Sequence, residues 1–274
     1  MNDLSDNRLV KLFAELKAAS KKTLLPFLSA GYPDLETTGL LLDELQARGV
    51  RACELGFPFS DPVADGPVIQ NSYAAALEQG ATCDGILDVV RNYRSGGGSM
   101  ALAAMVSYSI IYRHGVNEFL ETCKSAGFDA MIIPDLPMEE SQAVGPAADR
   151  LGLCNVLLVA PTTSPERRIE IARRSRGFIY YVSVAGITGQ RDSLPEETIR
   201  GVEELRKHVQ TPVCVGFGIS DPQTVATVCQ VADGAIVGSA IVKRLMDAKA
   251  RGATSREMAA CAGAFVEELI TPLR

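Results

Sequence analysis

The 274-residue chain is 47% hydrophobic and 22% charged, enough apolar content for a sizeable core and too much for a disordered segment. Its formal net charge of −6 and the lack of any basic run argue against nucleic acid and anionic membrane surfaces as partners. No apolar stretch approaches the roughly 20 residues that cross a bilayer, and the acidic, polar N-terminus does not read as a signal peptide.

Leu9, Val10, Leu12, Phe13 and Leu16 repeat with a helical period, so the pattern predicts an amphipathic helix over residues 4–18. Residues 23–30 read as a short buried strand, ended by Gly31-Tyr-Pro33. Asp34 then caps a helix to Ala47, and Gly49 stops it. A second strand over 50–54 would put Glu54 at its carboxyl end, with helices near 68–79 and 84–94 to follow. Ser95-Gly-Gly-Gly-Ser99 is short and reads as a loop within one domain. Strand-like runs recur at 100–106, 129–133, 155–159, 178–182, 212–215 and 234–237. Helical stretches follow near 117–125, 139–150, 165–175, 196–208, 222–230 and 239–249. Ser164-Pro165 and Asp221-Pro222 put proline at a first helical position, and Thr254-Ser-Arg-Glu257 is a capping box opening a last helix to Leu269.

Eight near-continuous apolar strands, each followed by a helix, predict an α/β fold: a parallel (β/α)8 barrel with an extra N-terminal helix and additional helices, one domain over 1–274. That class typically takes about 250 residues. No Gly-x-Gly-x-x-Gly follows the first strand, so a dinucleotide fold lacks its best sign.

Seven scattered cysteines with no C-x-x-C spacing read as free thiols in a reducing, cytoplasmic setting. Two histidines, His114 and His208, are too few for a histidine metal cluster and argue against a Ser-His-Asp triad, so carboxylates become the acid/base candidates. No residues show metal-ligand spacing, and no lysine ends a strand to serve a Schiff-base aldolase. The stretch Cys53-Glu54-Leu-Gly-Phe-Pro-Phe-Ser-Asp-Pro-Val-Ala-Asp65-Gly-Pro-Val-Ile-Gln sets Glu54 on a strand and Asp65 on a proline-stiffened loop, a candidate acid/base pair. The alternative is that Asp61 or Asp65 caps the next helix.

A second cluster ends the seventh and eighth strands: Gly216, Phe217 and Gly218, then Gly238 and Ser239. Glycines there let backbone N–H groups approach an anion, and a helix starting at Ser239 aims its positive end the same way. Thr188 and Gly189, after the sixth strand, could add a hydroxyl and an N–H. The alternative is tight turns alone; three such clusters on consecutive strands favour a phosphorylated substrate.

The Glu54–Gln70 string resembles the signature of the tryptophan synthase alpha subunit family. Phe-Asp-Ala-Met-Ile-Ile-Pro-Asp135-Leu-Pro, Gly-Phe-Ile-Tyr180-Tyr-Val-Ser, Gly186-Ile-Thr188-Gly189, Gly-Phe-Gly-Ile-Ser and Ile-Val-Gly-Ser-Ala-Ile-Val fall in that family's order and spacing over essentially the whole chain. The resemblance implies a TIM barrel that cleaves indole-3-glycerol phosphate to indole and glyceraldehyde 3-phosphate without a cofactor. Glu54 would serve as acid and then base, and Asp65 would hold the indole N–H. Phe27 and Tyr180 would wall the indole pocket. Gly189, Gly218, Gly238 and Ser239 would take the phosphate, and Thr188 would lie on a loop that closes over the substrate and positions Asp65. A pyridoxal-phosphate beta subunit is the implied partner, in an αββα complex that meets the loops after the second and third strands. Where that family usually has Tyr-x-Asn after the third strand this chain has Ser107-Tyr108-Ser109, and Val184 stands where a polar residue is common. A stand-alone lyase, a catalytically silent regulatory subunit and another phosphate-binding barrel isomerase are the competing readings.

Overall fold

Every residue of the strands β1 (Thr23–Ser29), β2 (Ala52–Gly56), β3 (Ala101–Met105) and β4 (Ala130–Ile132) is buried. Strands apolar on both faces need cover on both, and a parallel sheet closed on itself and wrapped in helices supplies it. The computed structural model describes residues 4–62, 65–183, 195–216 and 218–274. In it β5 (Cys154–Val159), β6 (Ile179–Val182), β7 (Val213–Gly216) and β8 (Gly234–Val237) complete a closed barrel in chain order, with β8 parallel to β1.

The helices are α1 (Arg8–Ala18), α2 (Leu35–Ala47), α3 (Pro67–Glu78), α4 (Cys83–Ser95), α5 (Tyr108–His114) and α6 (Val116–Ala126). They continue as α7 (Gly145–Leu151), α8 (Pro165–Arg174), α9 (Glu196–His208), α10 (Pro222–Val231), α11 (Ser239–Ala250) and α12 (Ser255–Ile270). The predicted starts are present: Asp34 accepts from the Thr37 N–H at 2.7 Å, Pro165 and Pro222 open α8 and α10, and Thr254 and Glu257 form the capping box of α12.

The extra helix α1 closes the amino-terminal end of the barrel. Its stripe Leu9, Leu12, Phe13 and Leu16 is buried, and Phe13 lies 5.9 Å from the Phe178 ring. Burial of each such side chain contributes about 1.5–3 kcal/mol. Asn7 donates to the carbonyls of Asp129 and Gly152 and so ties the helix to the starts of β4 and β5. Asp129 is itself a buried hub: it accepts from Arg94 at 3.1 Å, Arg8 at 3.0 Å and the Leu102 N–H at 2.9 Å.

Three expectations are corrected. The second strand runs Ala52–Gly56, so Glu54 stands in its middle and not at its end. The Val50 N–H is spent on the Leu45 carbonyl in closing α2, which delays the strand, and the Phe57 N–H still joins Met105 beyond Gly56. The predicted helix over 139–150 is a 3-10 turn, Glu140–Gln142, followed by α7. Pro146 has no N–H and its ring opposes a helix running through it. Finally, α5 forms where none was expected, in a run of β-branched and aromatic residues poor in helix propensity. A cap from another loop sets it: the Asp135 carboxylate accepts from the Ser107 hydroxyl at 2.6 Å and the Tyr108 N–H at 2.8 Å. All seven cysteines are free, as the scattered spacing predicts.

Candidate active site

Glu54 is the third of five residues in β2, paired with Phe27 of β1 and Ala103 of β3. Its side chain is 0% exposed, and neither carboxyl oxygen has a hydrogen-bond partner among the described residues. A carboxylate without donors in such a place is costly, so burial pushes the Glu54 carboxyl well above the ordinary carboxylate range and favours its protonated form.

One layer toward the carboxyl end of β2, Gly56 is a glycine for want of space. A Cβ there would collide with the Tyr73 hydroxyl and lie 2.5 Å from Cζ of Phe27. The other strand-end glycines seat rings too: a Cβ at Gly216 would lie 2.7 Å from the Tyr180 hydroxyl, and one at Gly238 would lie 3.1 Å from the Phe27 ring. Phe27 therefore links Glu54 on one side to the end of β8 on the other. Tyr180 is 6% exposed in β6, and Glu54 followed by Asp65 are the charges that bear most on its hydroxyl.

Asp65 comes in on the loop after β2. Its N–H donates to the Pro62 carbonyl, and Gln70 Nε2 bonds its carbonyl at 2.8 Å, which fixes the return into α3. The capping alternative fails: the N-cap of α3 is Gly66 with no side-chain bond, and Pro67 follows it. Burial pushes the Asp65 carboxyl up to about 6. Asp65 lines a small cavity with Phe59, Tyr73, Met105, Ser107 and Asp135. Ser107 stands where the family that the sequence resembles has Tyr-x-Asn, and Asp135 falls in one of the family-like motifs, but the sequence assigns neither a site role, and it does not single out Tyr73 at all. Tyr73 reads as ordinary helical core, and no local spacing reveals that Asp135 reaches Ser107 from another loop.

At the end of β8, one strand removed from β2 round the barrel, α11 begins at Ser239, with Gly238 as its N-cap. The first turn of a helix leaves N–H groups without partners in the helix, and its positive end favours an anion. Gly218 has φ +75°, a left-handed conformation that glycine takes without strain. Thr188, Gly189, Phe217 and Val184 lie outside the described residues. No group of three or more His, Cys, Asp or Glu side chains able to hold a metal ion occurs among the described residues.

A buried and a half-buried carboxyl at one end of a barrel, one favoured as an acid and one pushed up to about 6, with a helix N-terminus at the end of β8, suit proton transfer on an anionic small molecule. Comparisons with known proteins agree with that chemistry. The family profile "Tryptophan synthase alpha chain" matches residues 13–269. The chain is 42% identical over 249 residues to the tryptophan synthase alpha chain of Rhodopirellula baltica, covering 90% of each. It is 44% identical over 237 residues to that of Geotalea daltonii, covering 86% of this chain and 89% of the relative. The crystal structure of tryptophan synthase subunit alpha from Legionella pneumophila superposes with a TM-score of 0.88 at 34% identity, over 97% of this chain and 98% of that one. The sequence motifs, the closed barrel and the placement of its carboxyls thus lead to one family: the chain belongs to the tryptophan synthase alpha chains.

Proposed function

We infer that this chain cleaves indole-3-glycerol phosphate to indole and glyceraldehyde 3-phosphate in a retro-aldol reaction, as the alpha subunit of tryptophan synthase in tryptophan biosynthesis. The observation that supports this best is the wholly buried Glu54 carboxyl, without a donor among the described residues, on a strand separated by β1 alone from the one that leads into the N-terminus of α11. Burial raises its pKa and so favours the protonated form that a general acid needs. Glu54 gives its proton to C3 of the indole ring, and the ring nitrogen takes up the positive charge. Asp65, ionised, accepts the ring N–H and offsets that charge. The Glu54 carboxylate then removes the proton of the hydroxyl beside the breaking bond. As the C–C bond breaks, its electrons return to the ring, the aldehyde forms, and Glu54 is protonated again.

Phe27 and Tyr180 wall the indole pocket on this reading. Gly189, Gly218, Gly238 and Ser239 take the phosphate, Gly216 and Phe217 add to substrate binding, and Thr188 belongs to a loop that closes over the substrate and positions Asp65. The chain itself needs no cofactor. Pyridoxal phosphate belongs to the beta partner, in an αββα complex located in the cytoplasm. The partner meets the loops after β2 and β3, where Phe59, Leu77, Ile110 and Arg113 line an open groove. Leu77 and Tyr112 are the exposed large apolar side chains among the described residues.

Indole release from indole-3-glycerol phosphate, by the purified chain alone and then with a beta subunit, tests this. Slow release that rises strongly with the partner supports the reading. Fast release unchanged by the partner makes the chain a stand-alone lyase. No release in either case leaves a silent regulatory subunit.

A further inference from the structure

Gly56 and Glu54 are two residues apart on β2 and face the same side of the sheet, so the Tyr73 hydroxyl, in the place where a side chain at 56 would stand, lies one layer above Glu54 toward the mouth. It is held there. Tyr73 is 3% exposed, and its neighbour Ser72 bonds the Ser29 hydroxyl at 2.6 Å, which clamps α3 across the ends of β1 and β2, where Ser29 and Gly56 pair.

The cavity beside it has few donors. Among the described residues its wall carries the carboxyls of Asp61, Asp65 and Asp135, and its side-chain donors are the hydroxyls of Tyr73 and Ser107. Ser107 already donates to Asp135 at 2.6 Å. Among the described side chains, that leaves Tyr73 for Asp65, beside any contact from the Thr188 loop. Among the described residues, no lysine or arginine lines the cavity.

We propose that Tyr73 is a positioning residue for Asp65: its hydroxyl donates to the Asp65 carboxylate in the substrate complex, keeping it ionised and aimed at the indole N–H. This rests on the lyase reading above. Asp65 is the charged group that bears most on Tyr73, ahead of Glu54, and burial raises the phenol well above its usual range, so Tyr73 keeps its proton and acts only as a donor. Asp65 is faced by Tyr73 from α3, Asp61 from its own loop and Asp135 from the loop after β4, with Glu54 of β2 and Tyr180 of β6 across the mouth. The other ionisable neighbours among the described residues are carboxyls, which oppose its ionisation, or a tyrosine seated against Gly216.

The test is the pH profile of kcat for Tyr73→Phe, which removes one oxygen and keeps the ring. A lost donor raises the Asp65 pKa in the complex, so the acid limb of kcat moves up by about one pH unit. Cleavage is then about five- to tenfold slower at pH 5 and within about twofold of wild type at pH 8, with KM changed less than about twofold. In an Asp65→Asn background the same change adds nothing. An unmoved limb, a loss equal at all pH values, or additive losses in the double variant overturns the proposal. Wild-type protein that releases no indole overturns the lyase reading instead, so the two failures are distinguishable.

Discussion

Glu54 and Asp65 differ in how buried they are, and on the proposed lyase reading that difference divides their work. Glu54→Gln keeps the shape and removes the proton, so cleavage should fall by about 10²–10⁴ while circular dichroism is unchanged. The same variant has a stability signature. Burial raises the Glu54 pKa in the folded state above its unfolded value of about 4.3, so the folded state holds the proton more tightly. The stability from this linkage is complete below that unfolded value and is lost as pH rises toward the folded one. Wild type should therefore lose melting temperature relative to Glu54→Gln between pH 5 and pH 8, read by thermal denaturation; equal slopes would mean that Glu54 is not buried as an acid. Asp65 must be ionised to serve, and burial pushes it up to about 6, so kcat/KM should rise with pH along a limb near 6 that Asp65→Asn abolishes. The residue types and their order announced this pair. The orphaned burial of one and the half-burial of the other came from neighbours on β1, β3 and α3.

Helix starts were legible because caps are local. Thr254 and Glu257 bond each other's backbone within one turn, so Thr254→Ala should cost about 1 kcal/mol in urea unfolding and leave cleavage untouched, α12 being remote from the barrel mouth. α5 shows where local reasoning stops: its N-cap Ser107 accepts from the Ser109 N–H, but that hydroxyl and the Tyr108 N–H are both held by Asp135, in a loop that follows a different strand. Asp129 joins elements in the same long-range way at the amino-terminal end. Asp129→Ala would leave the half-buried Arg94 guanidinium without its carboxylate and the Leu102 N–H without its acceptor. About 3–5 kcal/mol of stability should be lost, seen as a lower urea midpoint, with cleavage per folded molecule unchanged.

The whole molecule adds the partner surface. α5 follows β3 and leaves Tyr112 74% exposed beside Tyr108. A large aromatic left to water on the face assigned to the beta subunit is a candidate anchor. Tyr112→Ala should weaken beta-subunit binding by about 10- to 100-fold in calorimetry and leave indole release by the isolated chain unchanged. Undiminished binding would move the interface elsewhere.

Eight apolar runs alternating with capped helices, and the string from Glu54 to Gln70, are properties of the chain read in order, so barrel class and family were determined by sequence alone. Period, caps and motif spacing need no knowledge of what lies across the fold. The tertiary structure decided the rest, because those features join residues distant in sequence. It carried β2 past Glu54, gave the glycines at 56, 216 and 238 their purpose as seats for Tyr73, Tyr180 and Phe27, and set α5 with Asp135. Burial and hydrogen-bond supply are sums over everything that packs around a group, and that sum exists only once the barrel has closed.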